Sequence, residues 1–169
     1  MNKLILTISF VILASLSFGQ KCKVQVDPFT NSKVVSSEFG KYIIFSLKNN
    51  EILLRYQLQF DGEMNSEIPK GSLISFKLEN GDIMELSTLD DASAVTIAGS
   101  TQSFTSAFVT EYFVTMKLTK EQLKSFASSK MTHVRYPDLK GGFTTNDKSK
   151  RWIRKLIEGA RCIETNLEK

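Results

Sequence analysis

ISFKLENGDIMELS, residues 74–87, contains two alternating runs about an Asn-Gly pair. Ile74, Phe76 and Leu78 alternate with Ser75, Lys77 and Glu79, and Ile83 to Ser87 return after Asn80-Gly81. Successive side chains of a strand point to opposite faces, so this spacing gives one apolar face and one wet face. Asn-Gly between two such runs is among the strongest short-range hairpin signals.

The same pattern extends outward on both sides. Upstream, Ile43, Phe45 and Leu47 lead to Asn49-Asn50, which tolerate the positive backbone angles of a tight turn. Ile52, Leu54, Tyr56, Leu58 and Phe60 then alternate with Leu53, Arg55, Gln57, Gln59 and Asp61. One buried and one solvated face is the mark of an antiparallel sheet. Lys23 to Val26 reads as a short opening strand closed by Asp27-Pro28, and Val34-Val35 as a second short piece. Downstream, Val95-Thr96-Ile97 forms a short strand before Gly99, and Tyr112, Val114, Met116 and Leu118 mark a long one.

Helical spacing is found only late in the chain. Thr119 is an N-cap with Gln122 as its reciprocal partner, and Leu123, Phe126 and Ala127 share one side. Met131 to Tyr136 returns as a strand before Pro137, and Gly141-Gly142 breaks the chain. Asn146 or Asp147 is then read as the cap of a final helix, with Trp152, Ile153, Leu156, Ile157 and Ala160 at helical intervals. Strands joined by tight turns with helices late predict an α+β fold: a mainly antiparallel sheet of hairpins packed against two helices in the C-terminal half. A β-sandwich or small barrel with helices as edge covers is the alternative.

The first residues read differently. Lys3 precedes an apolar run from Leu4 to Leu16, and Ser17-Phe18-Gly19 supplies small residues at the cleavage positions of a secretory signal. The run is shorter than the roughly 20 apolar residues that span a bilayer. The expectation is a cleaved signal over residues 1–19 and a single α+β domain over 20–169, exported to the periplasm or secreted, with no membrane span in the mature chain. Its two cysteines, Cys22 and Cys162, lie near opposite ends of that domain. An oxidising compartment makes a Cys22–Cys162 disulfide the expected state. Two free thiols are the alternative.

A formal net charge of +4 is too mild for a nucleic-acid binder, so no nucleic-acid partner is expected. The one histidine, His133, shares an alternating strand with Arg135, and both point outward if Thr132, Val134 and Tyr136 face in. One histidine without a ligand motif proposes no metal, and no cofactor is expected. No Gly-x-Ser-x-Gly frame singles out a serine nucleophile. Asp90-Asp91 and Glu63 with Glu67 are carboxylate pairs in turn-like sequence, where solvated or capping roles are usual. Lys140 to Asn146 leads into the expected helix start, and its spacing is not that of a P-loop. It reads as a flexible connection with an ordinary cap, an anion held by the free backbone N–H groups being the alternative. Residues 92–108, with small hydroxyl residues around Phe104 and Phe108, read either as a binding loop or as an edge strand with core aromatics. The last helix carries Lys148, Lys150, Arg151, Arg154 and Lys155, a basic face of the kind that is usually just solvated, with weak docking of an acidic partner through Arg151 and Lys155 as the alternative.

Phe18-Gly19-Gln20, Val26-Asp27-Pro28-Phe29-Thr30, Leu118-Thr119-Lys120-Glu121-Gln122-Leu123 and Val134-Arg135-Tyr136 together resemble small exported single-domain proteins of Bacteroidetes-type bacteria. The resemblance implies a periplasmic or cell-surface location and carries over no catalytic residue. A strongly specified scaffold without a convergent catalytic motif points to a non-enzymatic binding or interaction module. Its partner is expected to be a protein, an envelope component or a small-molecule ligand. A hydrolase using His133 with a serine or carboxylate, and an inhibitor or immunity-type protein, are the alternatives.

Overall fold

The computed structural model describes residues 22–29, 31–39, 42–99, 107–137, 143–147 and 150–167. The segment 1–19 lies outside these residues, as do Phe104, Gly141, Gly142 and Lys148. The elements in chain order are β1 (Lys23–Val26), β2 (Lys33–Phe39), β3 (Ile43–Lys48), β4 (Glu51–Asp61), β5 (Leu73–Leu78), β6 (Ile83–Ser87), β7 (Val95–Gly99), β8 (Ala107–Leu118), α1 (Lys120–Ser128), β9 (Met131–Pro137), β10 (Phe143–Asp147) and α2 (Lys150–Leu167).

The fold is α+β, with antiparallel strands and, among the described residues, two helices in the C-terminal half. The strands divide between two sheets, ordered β1-β2-β3-β4-β8-β7 and β10-β9-β5-β6. Local alternation foresees the β3–β4 and β5–β6 hairpins but not this partition. The open side of β4 is taken by β8, register-matched from Ile52–Leu118 to Asp61–Val109. Hairpin β5–β6 therefore cannot add to β4 and pairs with β9 instead.

The two apolar faces meet in one core. Ile43, Phe45, Leu54, Tyr56, Leu58, Tyr112, Val114 and Met116 come from the larger sheet, and Ile74, Phe76, Leu86, Val134 and Tyr136 from the smaller. Edge-to-face aromatic pairs join the sheets: Tyr56 with Phe76 at 5.8 Å and Phe60 with Tyr136 at 5.4 Å between ring centroids. Such pairs add about 0.5–1.5 kcal/mol each beyond their buried area. An isolated bridge between Thr88 and Met116 stitches the sheets where β6 ends.

The helices complete this core. In α1 the Thr119 hydroxyl accepts from the Gln122 backbone N–H at 3.1 Å, and the Gln122 side chain accepts from the Thr119 N–H at 2.8 Å, the predicted reciprocal cap. Phe126 then reaches both sheets, 6.0 Å from Phe45 and 5.2 Å from Phe76. Helix α2 buries Leu156, Gly159, Ala160, Cys162 and Ile163, and its Trp152 packs edge-on to Tyr56. Cys22 and Cys162 form a disulfide with Cα atoms 5.7 Å apart, tying the approach to β1 to α2.

The start of the last helix differs from expectation. Phe143 to Asp147 form β10, paired residue by residue with β9, and α2 begins at Lys150. Asn146 and Asp147 are therefore strand residues and not the cap. Phe143-Thr144-Thr145 has the aromatic and β-branched content that favours strands, and the neighbouring β9 edge satisfies its backbone. The segment read as a connection into a helix start is strand over 143–147, so the alternative of an anion held at a helix terminus has no such terminus there.

Candidate functional site

A bulge in β9 directs its outward residues. Met131 and Val134 are both buried, although three positions of a regular strand would place them on opposite faces. The register shifts by one residue between Lys77 and Leu78, which leaves Thr132 as the extra residue. Its hydroxyl donates to the Lys77 carbonyl at 3.1 Å. Thr132 is half-buried, and Met131 takes the core position. Beyond the bulge, Val134 and Tyr136 face the core while His133 and Arg135 face outward and are exposed, as expected.

Three strands then set their outward residues in two rows across the sheet. Ser75 on β5 stands between Glu85 on β6 and Arg135 on β9; Lys77 stands between Ile83 and His133. These six side chains line a depression of about 230 Å3 on the sheet face away from the core. In backbone register β10 extends the rows, with Thr145 beside Arg135 and Asp147 beside His133. Directly opposed Cβ atoms in such a ladder are ~4.5–5.5 Å apart and diagonal ones ~7–8 Å. All six side chains are thus within reach of one small ligand.

The charges there are unevenly matched. Elsewhere on the surface lysines meet carboxylates: Lys23 with Glu38 and Lys117 with Glu51 at 2.7 Å, and Lys130 with Glu79 at 3.3 Å. Among the described residues no carboxylate lies within ion-pair distance of Lys77 or Arg135. Ser75 donates its hydroxyl to the Glu85 carboxylate at 3.2 Å. That hydroxyl is therefore directed to an acid, and its register partner on β9 is Arg135, not His133. A serine nucleophile needs a base to receive its proton, usually an oriented imidazole. Ser75 and His133 are not arranged in that way.

The other candidates from the sequence are dispersed. Asp91 accepts the Lys70 backbone N–H at 2.7 Å, and Glu67 accepts the Ser93 hydroxyl at 3.1 Å, so each ties a loop locally. Phe108, at the start of β8, is 43% exposed and lies on the same side of its strand as Thr110 and Tyr112, whereas the exposed Val95 and Ile97 lie on the opposite face of the larger sheet. Val95 to Gly99 is an edge strand, which resolves that part of 92–108 in favour of strand over loop. Arg151 is exposed and Lys155 half-buried on α2, an element separate from the depression. Arg154 pairs with Glu158 at 3.8 Å along that helix. Among the described residues there is no group of three or more His, Cys, Asp or Glu side chains placed to hold a metal ion, and no helix is long and apolar enough to cross a membrane.

Sequence reading found His133 and Arg135 but passed over Ser75, Lys77, Ile83 and Glu85. Alternation alone placed Ser75 and Lys77 on the wet face of their hairpin. What was missing was the β5–β9 pairing, which joins residues almost sixty positions apart. No family model, curated protein or solved structure matches the chain.

Proposed function

We propose that the protein is an exported, non-enzymatic binding module of the periplasm or extracellular space, and that the outer face of the four-stranded sheet is its recognition surface. The observation that carries this reading is the convergence of polar side chains from β5, β6 and β9 on one depression of a firmly packed sheet. Backbone ladders on both sides of β5 fix the main chain of those residues, so ligand binding there orders side chains and not backbone. The Ser75–Glu85 hydrogen bond favours recognition over nucleophilic chemistry at this place.

Export is supported by the residues that precede the domain and by its cysteines. Lys3, the apolar stretch to Leu16 and Ser17-Phe18-Gly19 have the three-part layout of a secretory signal. A disulfide between Cys22 and Cys162 suits an oxidising compartment.

A blocking substitution tests the reading. Ser75→Trp fills the depression from its centre without entering the core. A thermal-shift screen of purified protein against small metabolites and envelope glycans should give hits with the unmodified protein and lose them with S75W. Hits retained by S75W, or turnover of any compound that disappears in His133→Ala, would contradict the proposal.

A further inference from the structure

The depression has a chemical bias that narrows its ligand, and we infer that it holds the phosphate group of a small soluble phosphate ester, gripped by Arg135 and Lys77. This inference rests on the binding-module reading above. The two cations are diagonal neighbours across the β5–β9 ladder and face the same concavity. Neither has a carboxylate partner among the described residues, in contrast to Lys23, Lys117 and Lys130. The two positive charges repel each other when the site is empty. Glu85 offsets part of that charge from the β6 side, and an anion between Lys77 and Arg135 relieves the rest.

The geometry selects phosphate among anions. The guanidinium offers a planar fork of donors that meets two oxygens at once, and the lysine ammonium supplies a point charge for a third. A doubly charged phosphate ester neutralises both cations, whereas a carboxylate neutralises one. The acidic side of the site lies at Glu85, two strands from Arg135 and separated from it by Ser75. Glu85 repels the phosphate from the β6 side and directs it to the β5–β9 column. Ile83, 65% exposed at the corner of the depression, gives the organic stem an apolar surface. At about 230 Å3 the depression is smaller than the ~300–1,000 Å3 usual for a drug-sized ligand, which favours a small ester over a polymer.

The test is a nitrogen–proton NMR titration of the purified protein with inorganic phosphate, glucose 6-phosphate and glucose. Both phosphates should shift the amides of Ser75, Lys77, His133 and Arg135 in a saturable way, and glucose should not. Arg135→Gln and Lys77→Gln should each weaken glucose 6-phosphate binding about ten-fold or more, as loss of a charge-assisted contact does. Glu85→Gln should tighten it. All three side chains are exposed or at the surface row, so unchanged melting temperatures will confirm that the variants fold.

Shifts spread equally over Lys120, Lys124 and Lys130, or unchanged affinity in R135Q, would overturn the inference. Binding of glucose at the same residues with no gain from the phosphate would overturn it too, while leaving the binding-face reading intact. Sedimentation with phosphatidylglycerol vesicles that needs Arg135, without any response to the soluble phosphates, would count against a soluble ester. Failure of both readings is separately visible, since S75W would then retain every hit of the thermal-shift screen.

Discussion

Gln57 is the residue most at odds with its position. It belongs to the side of β4 that points away from the core, yet it is only 7% exposed, and neither its amide nitrogen nor its amide oxygen finds a hydrogen-bond partner among the described residues. A buried polar group left unsatisfied costs about 1–3 kcal/mol. Gln57→Met keeps the length of the side chain and removes that cost. The variant should be more stable than the parent by about 1 kcal/mol in urea denaturation, and a destabilised variant would show that the amide has a role in the fold. Glu121 is the opposite case, a charged group well served by its surroundings. Its own backbone N–H, then the Thr119 hydroxyl and the Lys120 ammonium, hold its carboxyl below the usual value. A carboxylate whose pKa is lower in the folded chain than in the unfolded one adds stability above the unfolded pKa, and this is lost as pH falls through the folded pKa. Glu121→Gln should therefore reduce the melting temperature slightly near neutrality and converge with the parent in acid. A difference that persists or grows in acid would contradict this assignment.

Elements were legible where a local rule was strong. The 74–87 hairpin forms as read, though its turn is built differently from a two-residue Asn-Gly loop. Gly81 alone takes a positive φ, of 93°, while the Asn80 side chain accepts from the Asp82 N–H at 3.1 Å. Asn49 and Asn50 both adopt positive φ in the earlier hairpin, as a tight turn there demands. Helix α1 is equally readable because its cap is a side-chain signature. Replacing Thr119 with Ala removes the acceptor for the Gln122 N–H and should cost about 1 kcal/mol, read as a lower denaturation midpoint at unchanged slope. No loss of stability would mean that Gln122 alone holds the helix start. The signal for β10 was weaker. Asn146-Asp147 resembles a cap in isolation, and only the open edge of β9 makes the segment a strand. The bulge at Thr132 was illegible for a similar reason, since it is defined against Lys77 on another strand. Four of the six residues of the candidate site, Ser75, Lys77, Ile83 and Glu85, depended on that pairing. His133 and Arg135 are visible from alternation within one strand, whereas their neighbours Ser75 and Lys77 belong to a hairpin far earlier in the chain.

Taken together, the described residues form two antiparallel sheets and two helices around one core, with a disulfide between Cys22 and Cys162. Cys22 and Cys162 are 140 residues apart, so their bond restrains nearly the whole unfolded domain. The chain-entropy model assigns such a closure about 4–5 kcal/mol. Cys162→Ser should lower stability by that order under oxidising conditions and change little relative to the parent in reductant. Equal stability of parent and variant without reductant would show that the bond does not constrain the chain. With the ends restrained and the sheets locked by Tyr56, Phe76, Phe60 and Tyr136, the outer face of the smaller sheet is a rigid platform. The exposed apolar side chains of the larger sheet, Val95 and Ile97 on one face and Phe108 on the other, are the competing places for contact with a ligand. An NMR-mapped fragment screen separates the two sheets. Hits should perturb the amides of Ser75, Lys77, Glu85, His133 and Arg135; hits gathered at Val95 and Ile97, or at Phe108, instead would place recognition on the larger sheet and contradict the account.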